Sequence, residues 1–165
     1  MEVGGQDAKV IFFHYDEASG KLQTSAMRMN GSCAGGTGAF IDEIAALLNV
    51  PADEFEQLAA CGKTVYSISG RCGVYAKTDI QPLLNQGVSK ENLALSSLHA
   101  VAKQTIGGLA QGLDIRGPVL FEGGPTTFNP TLIHVFAHRL TLPLEAIPFL
   151  PAHTPRIPIH HRRIQ

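Results

Sequence analysis

The sequence predicts an α/β domain built around a mixed sheet, and two observations carry that prediction. Two β-branched and aromatic runs joined by a short polar turn open the chain, and strand–helix alternation closes it. No internal repeat divides the 165 residues, so residues 1–150 are expected to form one unit.

The elements follow in order. Gly4 to Lys9 (Gly-Gly-Gln-Asp-Ala-Lys) is a tight turn joining two strands. Ala8 to Tyr15 is a strand, Asp16 to Gly20 the hairpin turn, and Lys21 to Met29 the return strand. A glycine-rich loop then leads into a helix over Ala39 to Leu48, with apolar residues at 40, 41, 44, 47 and 48. Pro51 suits the first turn of a second helix reaching about Ala60. Val65 to Ile68 reads as a short strand, and Lys77 to Asn85 as a helix stopped by Gly87. Ser89 is a good N-cap for the longest helix, Lys90 to Gln111, whose apolar face runs through Leu95, Leu98, Val101, Ala102, Ile106 and Leu109. Pro118 to Glu122 reads as a buried strand ending in Gly123-Gly124-Pro125. A helix over Pro130 to Leu140 and a strand near Ala146 to Leu150 complete the pattern. Residues 151–165, rich in proline and cations, read as a disordered or loosely docked tail, and its His160-His161 pair as solvated.

Composition narrows the function classes. A net charge of −1 leaves no footprint for nucleic acid or an anionic membrane. No apolar run approaches a bilayer span and no leader opens the chain, so the reading is a soluble, cytoplasmic protein. Three cysteines at irregular spacing argue against a secreted disulfide framework and for reduced thiols or metal ligands.

Two of those cysteines stand on glycine-rich turns: Cys33 in Asn-Gly-Ser-Cys-Ala-Gly-Gly-Thr-Gly (30–38) and Cys72 in Ser-Gly-Arg-Cys-Gly (69–73). Two ligands cannot close a four-cysteine site, so the arrangement suggests an iron–sulfur cluster shared between two copies of the chain. Free amides and the positive end of the 39–48 helix are expected to face that anionic centre. Cys61 lacks such a loop and reads as a small buried hydrophobe. Gly31 to Thr37 mimics a P-loop but lacks its lysine, which excludes that match. The paired glycines Gly4 and Gly5 can present bare amides to a phosphate, and Asp7 can orient a water or hold hydrated Mg²⁺; taken alone, a plain hairpin turn with solvated polar residues is the stronger reading. Gly123 and Gly124 follow a strand at the position where α/β sheets place ligands. The histidines at 14, 99, 134, 138 and 153 show no metal-ligand spacing and read as surface residues.

Four motifs occur in a telling order: Val3–Lys9, Met29–Phe40, Arg71–Asp79 (Arg-Cys-Gly-Val-Tyr-Ala-Lys-Thr-Asp) and Val119–Pro125 (Val-Leu-Phe-Glu-Gly-Gly-Pro). In these the chain resembles the activator (activase) family of 2-hydroxyacyl-CoA dehydratases, kin of the ATPase subunits of benzoyl-CoA reductase, over roughly residues 1–150. The likeness is nearest to the long, multi-domain members. It implies one lobe of the actin/sugar-kinase/Hsp70 ATPase fold, which is ribonuclease H-like. It also implies a homodimer in which Cys33 and Cys72 of each copy hold one [4Fe–4S] cluster. ATP with Mg would drive delivery of a low-potential electron to an acyl-CoA dehydratase or reductase component. Gly4, Gly5, Gln6 and Asp7 match the family's second phosphate loop, with Gln6 and Asp7 the catalytic pair. Gly123 and Gly124 match its adenosine-side loop. The first phosphate loop, an Asp-Gly-Ser/Thr turn, does not occur in this sequence. The alternative readings are a non-hydrolysing dimerisation or docking lobe and a kinase-like phosphotransferase lobe.

Overall fold

The computed structural model describes residues 1–30 and 35–142. The predicted strand near Ala146 to Leu150, the tail with its His160-His161 pair, His153, and Cys33 itself lie outside those residues.

Three antiparallel strands in the order β1-β2-β3 make the sheet: β1 Glu2–Val3, β2 Ala8–Asp16 and β3 Lys21–Met29. Asp16 builds the hairpin turn, its carboxylate accepting from the Ala18 amide at 3.0 Å and the Ser19 hydroxyl at 2.6 Å. Those bonds hold the Asp16 carboxyl below its ordinary pKa, the Ser19 hydroxyl contributing most. On the other side of β1, Glu2 bridges Glu122 in parallel, and the Val3 amide donates to the Glu122 carbonyl at 2.9 Å. The sheet is therefore mixed, as the sequence predicts.

Six helices follow: α1 Gly38–Leu48, α2 Phe55–Ala60, α3 Gly73–Asn85, α4 Lys90–Ala110, α5 Gly124–Phe128 and α6 Pro130–Leu140. Helix α4 is the axis of the domain. Every residue from Leu93 to Ala102 is buried, so it is enclosed rather than amphipathic, beyond the single apolar face that the sequence suggests. The hydroxyls of Ser96 and Ser97 return to the carbonyls of Asn92 and Leu93, which makes them tolerable inside. Ser89 caps α4 by accepting from the Asn92 amide at 3.4 Å. Around α4, the fully buried Phe40, Leu48, Phe55, Leu132 and Phe136 close the core with Val3 of the sheet. Val10 and Ala8 pack on Leu109 at the far end of α4.

Four expectations change. Val65 to Ile68 forms no strand, and the Tyr66 amide within it, with those of Lys63, Thr64 and Ser69 beside it, is taken by helix side chains. Asn92 Oδ1 accepts from Lys63 and Thr64, Ser96 Oγ from Tyr66, and Asp79 from Ser69. Pro118 to Glu122 contributes one bridge instead of a buried strand, and Leu120 is exposed. Helix α2 starts at Phe55 rather than Pro51, residues 52–54 forming a turn. Helix α3 starts four residues early, at Gly73, with extended Cys72 as its N-cap. Among the described residues, no helix is long and apolar enough to cross a membrane.

Candidate functional site

The two glycine pairs lie side by side. The Gly4 amide donates to the Asp7 carbonyl at 2.7 Å, closing the turn after β1, and Gly5, Gln6 and Asp7 stand exposed at its tip. Gly123 follows the segment that pairs with β1 and adopts φ +103°; a Cβ there would run into the Val3 carbonyl. Glycine is thus required where the two turns leave the sheet.

Helix α1 docks onto the same place. The amides of Gly38 and Ala39 donate to the carbonyls of Gly4 at 2.9 Å and Gly5 at 2.7 Å. The expectation that these helix amides are free to face a ligand of Cys33 is therefore corrected, since two of the first four are consumed by the Gly4–Gly5 turn. Gly38 also has no room for a side chain, because a Cβ would sit 2.9 Å from the Pro125 ring.

Between these turns and α2 opens a cleft of about 460 Å³. Gly5, Gly38, Gly124 and Pro125 line it together with Asp42, Asp53 and Glu56, and Ile41 and Ala52 supply apolar surface. Phe128 stands at the cleft 80% exposed, and Asn129 lines it while 8% exposed. Glu56 is anchored: its Oε1 accepts from the Thr131 hydroxyl at 2.7 Å and the Thr131 amide at 3.4 Å. Neither Glu56 nor Asn129 was marked by any sequence motif. The Asn129-Pro130 pair, an N-cap residue before a proline at N1, is the one signal that points toward them.

The second loop pair also meets. Cys72 is partly buried and caps α3, and the Ala76 amide donates to its carbonyl at 3.1 Å. Gly35, two residues past Cys33 in sequence, packs against Gly70 and Arg71, and a Cβ on it would lie 2.6 Å from the Gly70 carbonyl and nearer still to that of Arg71. Thr105 of α4 donates to the Gly36 carbonyl at 2.8 Å and holds that loop on the core. The Glu43 carboxylate fills the space beside Gly73 that a side chain would need. A shallower cleft of about 430 Å³ runs past Gly70, Arg71, Lys103 and Gln104.

Two residue classes depart from expectation. Cys61 is exposed at the end of α2, not buried. His99 and His134 are buried at 3% and 6% exposure, because α4 and α6 face each other across the core; His14 and His138 remain at the surface. Burial lowers the His134 pKa, with the nearby Glu56 carboxylate opposing the shift. Among the described residues, no three His, Cys, Asp or Glu side chains gather as a metal site.

Known proteins resemble this chain in sequence and in fold. The chain is 32% identical over 124 residues to the (R)-2-hydroxyglutaryl-CoA dehydratase activating ATPase of Acidaminococcus fermentans, covering 75% of this chain and 45% of that protein. It is equally similar, at 32%, to the activator of lactoyl-CoA dehydratase from Anaerotignum propionicum, over 75% and 46% of the two chains. The crystal structure of component A of the A. fermentans dehydratase superposes with a TM-score of 0.74 at 29% identity, covering 88% of this chain and 52% of that one. The activator of 2-hydroxyisocaproyl-CoA dehydratase from Clostridium difficile, solved with bound ADPNP, superposes with a TM-score of 0.73 at 26% identity, over 88% and 51%. The chain thus spans about half the length of the relatives it matches. The fold is that of the actin-like activator ATPases, and with a family model matching residues 1–135, this chain belongs to the BadF/BadG/BcrA/BcrD ATPase family.

Proposed function

We propose that this chain is the nucleotide-binding, cysteine-bearing lobe of an ATP-dependent activator that passes a low-potential electron to an acyl-CoA dehydratase or reductase component. The observation that carries this reading is the convergence of the Gly4–Gly5 turn, the Gly123–Gly124 turn and the α1 N-terminus on one cleft. In this reading the exposed Gly4–Gly5 turn takes the phosphates, where bare backbone approaches them closely. Asp7 and Gln6, exposed at the same tip, orient the attacking water and the hydrated Mg²⁺. Gly123 and Gly124 carry the nucleoside side.

Cys33 and Cys72 are the ligands this chain offers a [4Fe–4S] cluster, and a second copy completes the four thiolates. The surroundings of Cys72 fit such a group: the residue is partly buried on a glycine-flanked turn at the positive end of a 13-residue helix. Gly35, two residues past Cys33 in sequence, packs on that turn. When bound, the cluster supplies a one-electron carrier. On its own the chain binds nucleotide weakly and hydrolyses little or none, because the first phosphate turn does not occur in its sequence.

Iron and acid-labile sulfide per chain, measured after anaerobic reconstitution of the wild type and Cys72→Ala, test the cluster. A shared cluster gives about two irons per chain, lost in the variant. No iron in either protein removes the electron-transfer reading. ATP turnover within about tenfold of a full-length activator removes the expectation of inactivity alone.

A further inference from the structure

The cleft carries charge of a single sign. Every charged side chain lining it among the described residues is acidic: Asp42, Asp53 and Glu56. Such a lining repels phosphate and favours the uncharged, donor-rich part of a nucleotide. Glu56 is the ordered member of the set. Both of its hydrogen bonds go to Oε1, from the amide and hydroxyl of Thr131, and Oε2 accepts none among the described residues. Thr131 lies in the first turn of α6, so the carboxylate is held at the N-terminal end of that helix. The group is thus fixed in place with one oxygen unused. Beside it, Asn129 lines the same cleft at 8% exposure, and its Oδ1 has no hydrogen-bond partner. A buried amide oxygen without a partner is costly, and this one lies out of solvent contact, so a ligand donor meets it only when the side chain shifts.

We infer that Glu56 is a specificity-determining residue of this cleft, accepting hydrogen bonds from the donor groups of a bound purine nucleoside, its ribose hydroxyls or its exocyclic amine. The inference rests on the nucleotide reading above and adds to it the residue that discriminates among nucleotides. The phosphates then point away from Glu56, toward the Gly4–Gly5 turn.

Binding of ADP, 2′-deoxy-ADP and purine riboside diphosphate to the full chain, followed by ligand-observed NMR at millimolar concentration, tests this. Glu56→Gln keeps the Thr131 bonds, because an amide oxygen accepts them, and removes only the charge. It is expected to weaken ADP about tenfold, the range of one hydrogen bond to a charged group. The analogue lacking the group that Glu56 reads should bind the wild type about tenfold more weakly than ADP and lose little further in the variant. Loss with 2′-deoxy-ADP assigns the ribose; loss with purine riboside diphosphate assigns the amine. Thr131→Val, which leaves the carboxylate but frees it, should weaken ADP by about threefold and keeps the test open if Glu56→Gln unfolds. ADP binding that both variants leave unchanged overturns the inference and spares the nucleotide reading. Equal losses on all three nucleotides in Glu56→Gln overturn it too. A wild-type chain that binds none of them overturns both.

Discussion

Gly35→Ala drives a single methyl group from the segment that follows Cys33 in sequence against the Gly70–Arg71 backbone that precedes Cys72. Gly35 carries no left-handed backbone, so the perturbation is purely steric. Its new Cβ would stand 2.6 Å from the Gly70 carbonyl, against a floor of 3.0 Å for real contacts, and the Arg71 carbonyl is closer still. The loops must therefore part by more than 0.4 Å, the difference between 3.0 and 2.6. Metal–ligand distances tolerate only about 0.2 Å. Overpacking of this kind costs about 1–3 kcal/mol, and each kcal/mol lowers the melting temperature of a chain this size by about 2–4 °C. The variant is expected to remain folded at 20 °C by circular dichroism while its reconstituted iron falls well below the wild-type value of about two per chain. Wild-type iron content in a folded Gly35→Ala chain would refute the idea that this packing sets the spacing of the two thiols.

Other consequences are checked by equally simple measurements. Gly107→Ala lies inside α4 where nothing stands within 4 Å of the added Cβ, so it should stabilise by about 0.8–1 kcal/mol in a urea melt and leave iron content unchanged. Gly123→Ala combines a left-handed backbone with a collision at the Val3 carbonyl; a loss of at least about 1–2 kcal/mol and of ADP binding is expected, and unaltered binding would break the link between that turn and the cleft. His134 has its pKa lowered in the folded state, so the unfolded chain takes up the proton first and stability falls as pH drops below the ordinary value of 6.5. His134→Leu should shrink the fall in melting temperature between pH 8 and pH 5, and an undiminished fall would place its origin in another group.

The sequence discloses those parts of the fold that depend on local chemistry. The hairpin is legible because Asp16 and Gly20 make a turn between two β-rich runs, and α4 because Ser89 caps a long apolar helix. It misleads where a distant side chain decides. Val65 to Ile68 has strand composition, yet Asn92 and Ser96 take the neighbouring amides and leave no ladder to join. His99 and His134 look like surface residues until α4 and α6 are packed together. The paired glycines of the candidate site are visible as motifs, whereas Glu56 is not. Its importance comes from Thr131, 75 residues away, which no spacing rule connects to it. Glycine motifs mark where backbone must come close; the side chains that read a ligand are set by tertiary contacts.

Those contacts also place the two loop systems on one short piece of chain. Residues 35–39 touch both: the Gly38 and Ala39 amides bind the Gly4–Gly5 turn, and Gly35, three residues earlier, packs on the turn that carries Cys72. Gly36 between them is held from α4 by Thr105, whose hydroxyl is shared with the Val101 carbonyl at 2.9 Å. The φ of +80° at Gly36 and the 2.7 Å that would separate its Cβ from the Thr105 hydroxyl leave that point little freedom. A displacement of the Gly4–Gly5 turn must therefore either break the two bonds to α1 or move the helix start. Between the helix start and the contact of Gly35 with Gly70 and Arg71 stand the buried Thr37 and Gly36, the latter fixed from α4 by Thr105. Rigid packing of this kind transmits a shift instead of absorbing it. A shift of the Gly4–Gly5 turn and a shift of the turn that carries Cys72 are thus mechanically linked through the two ends of a five-residue strap.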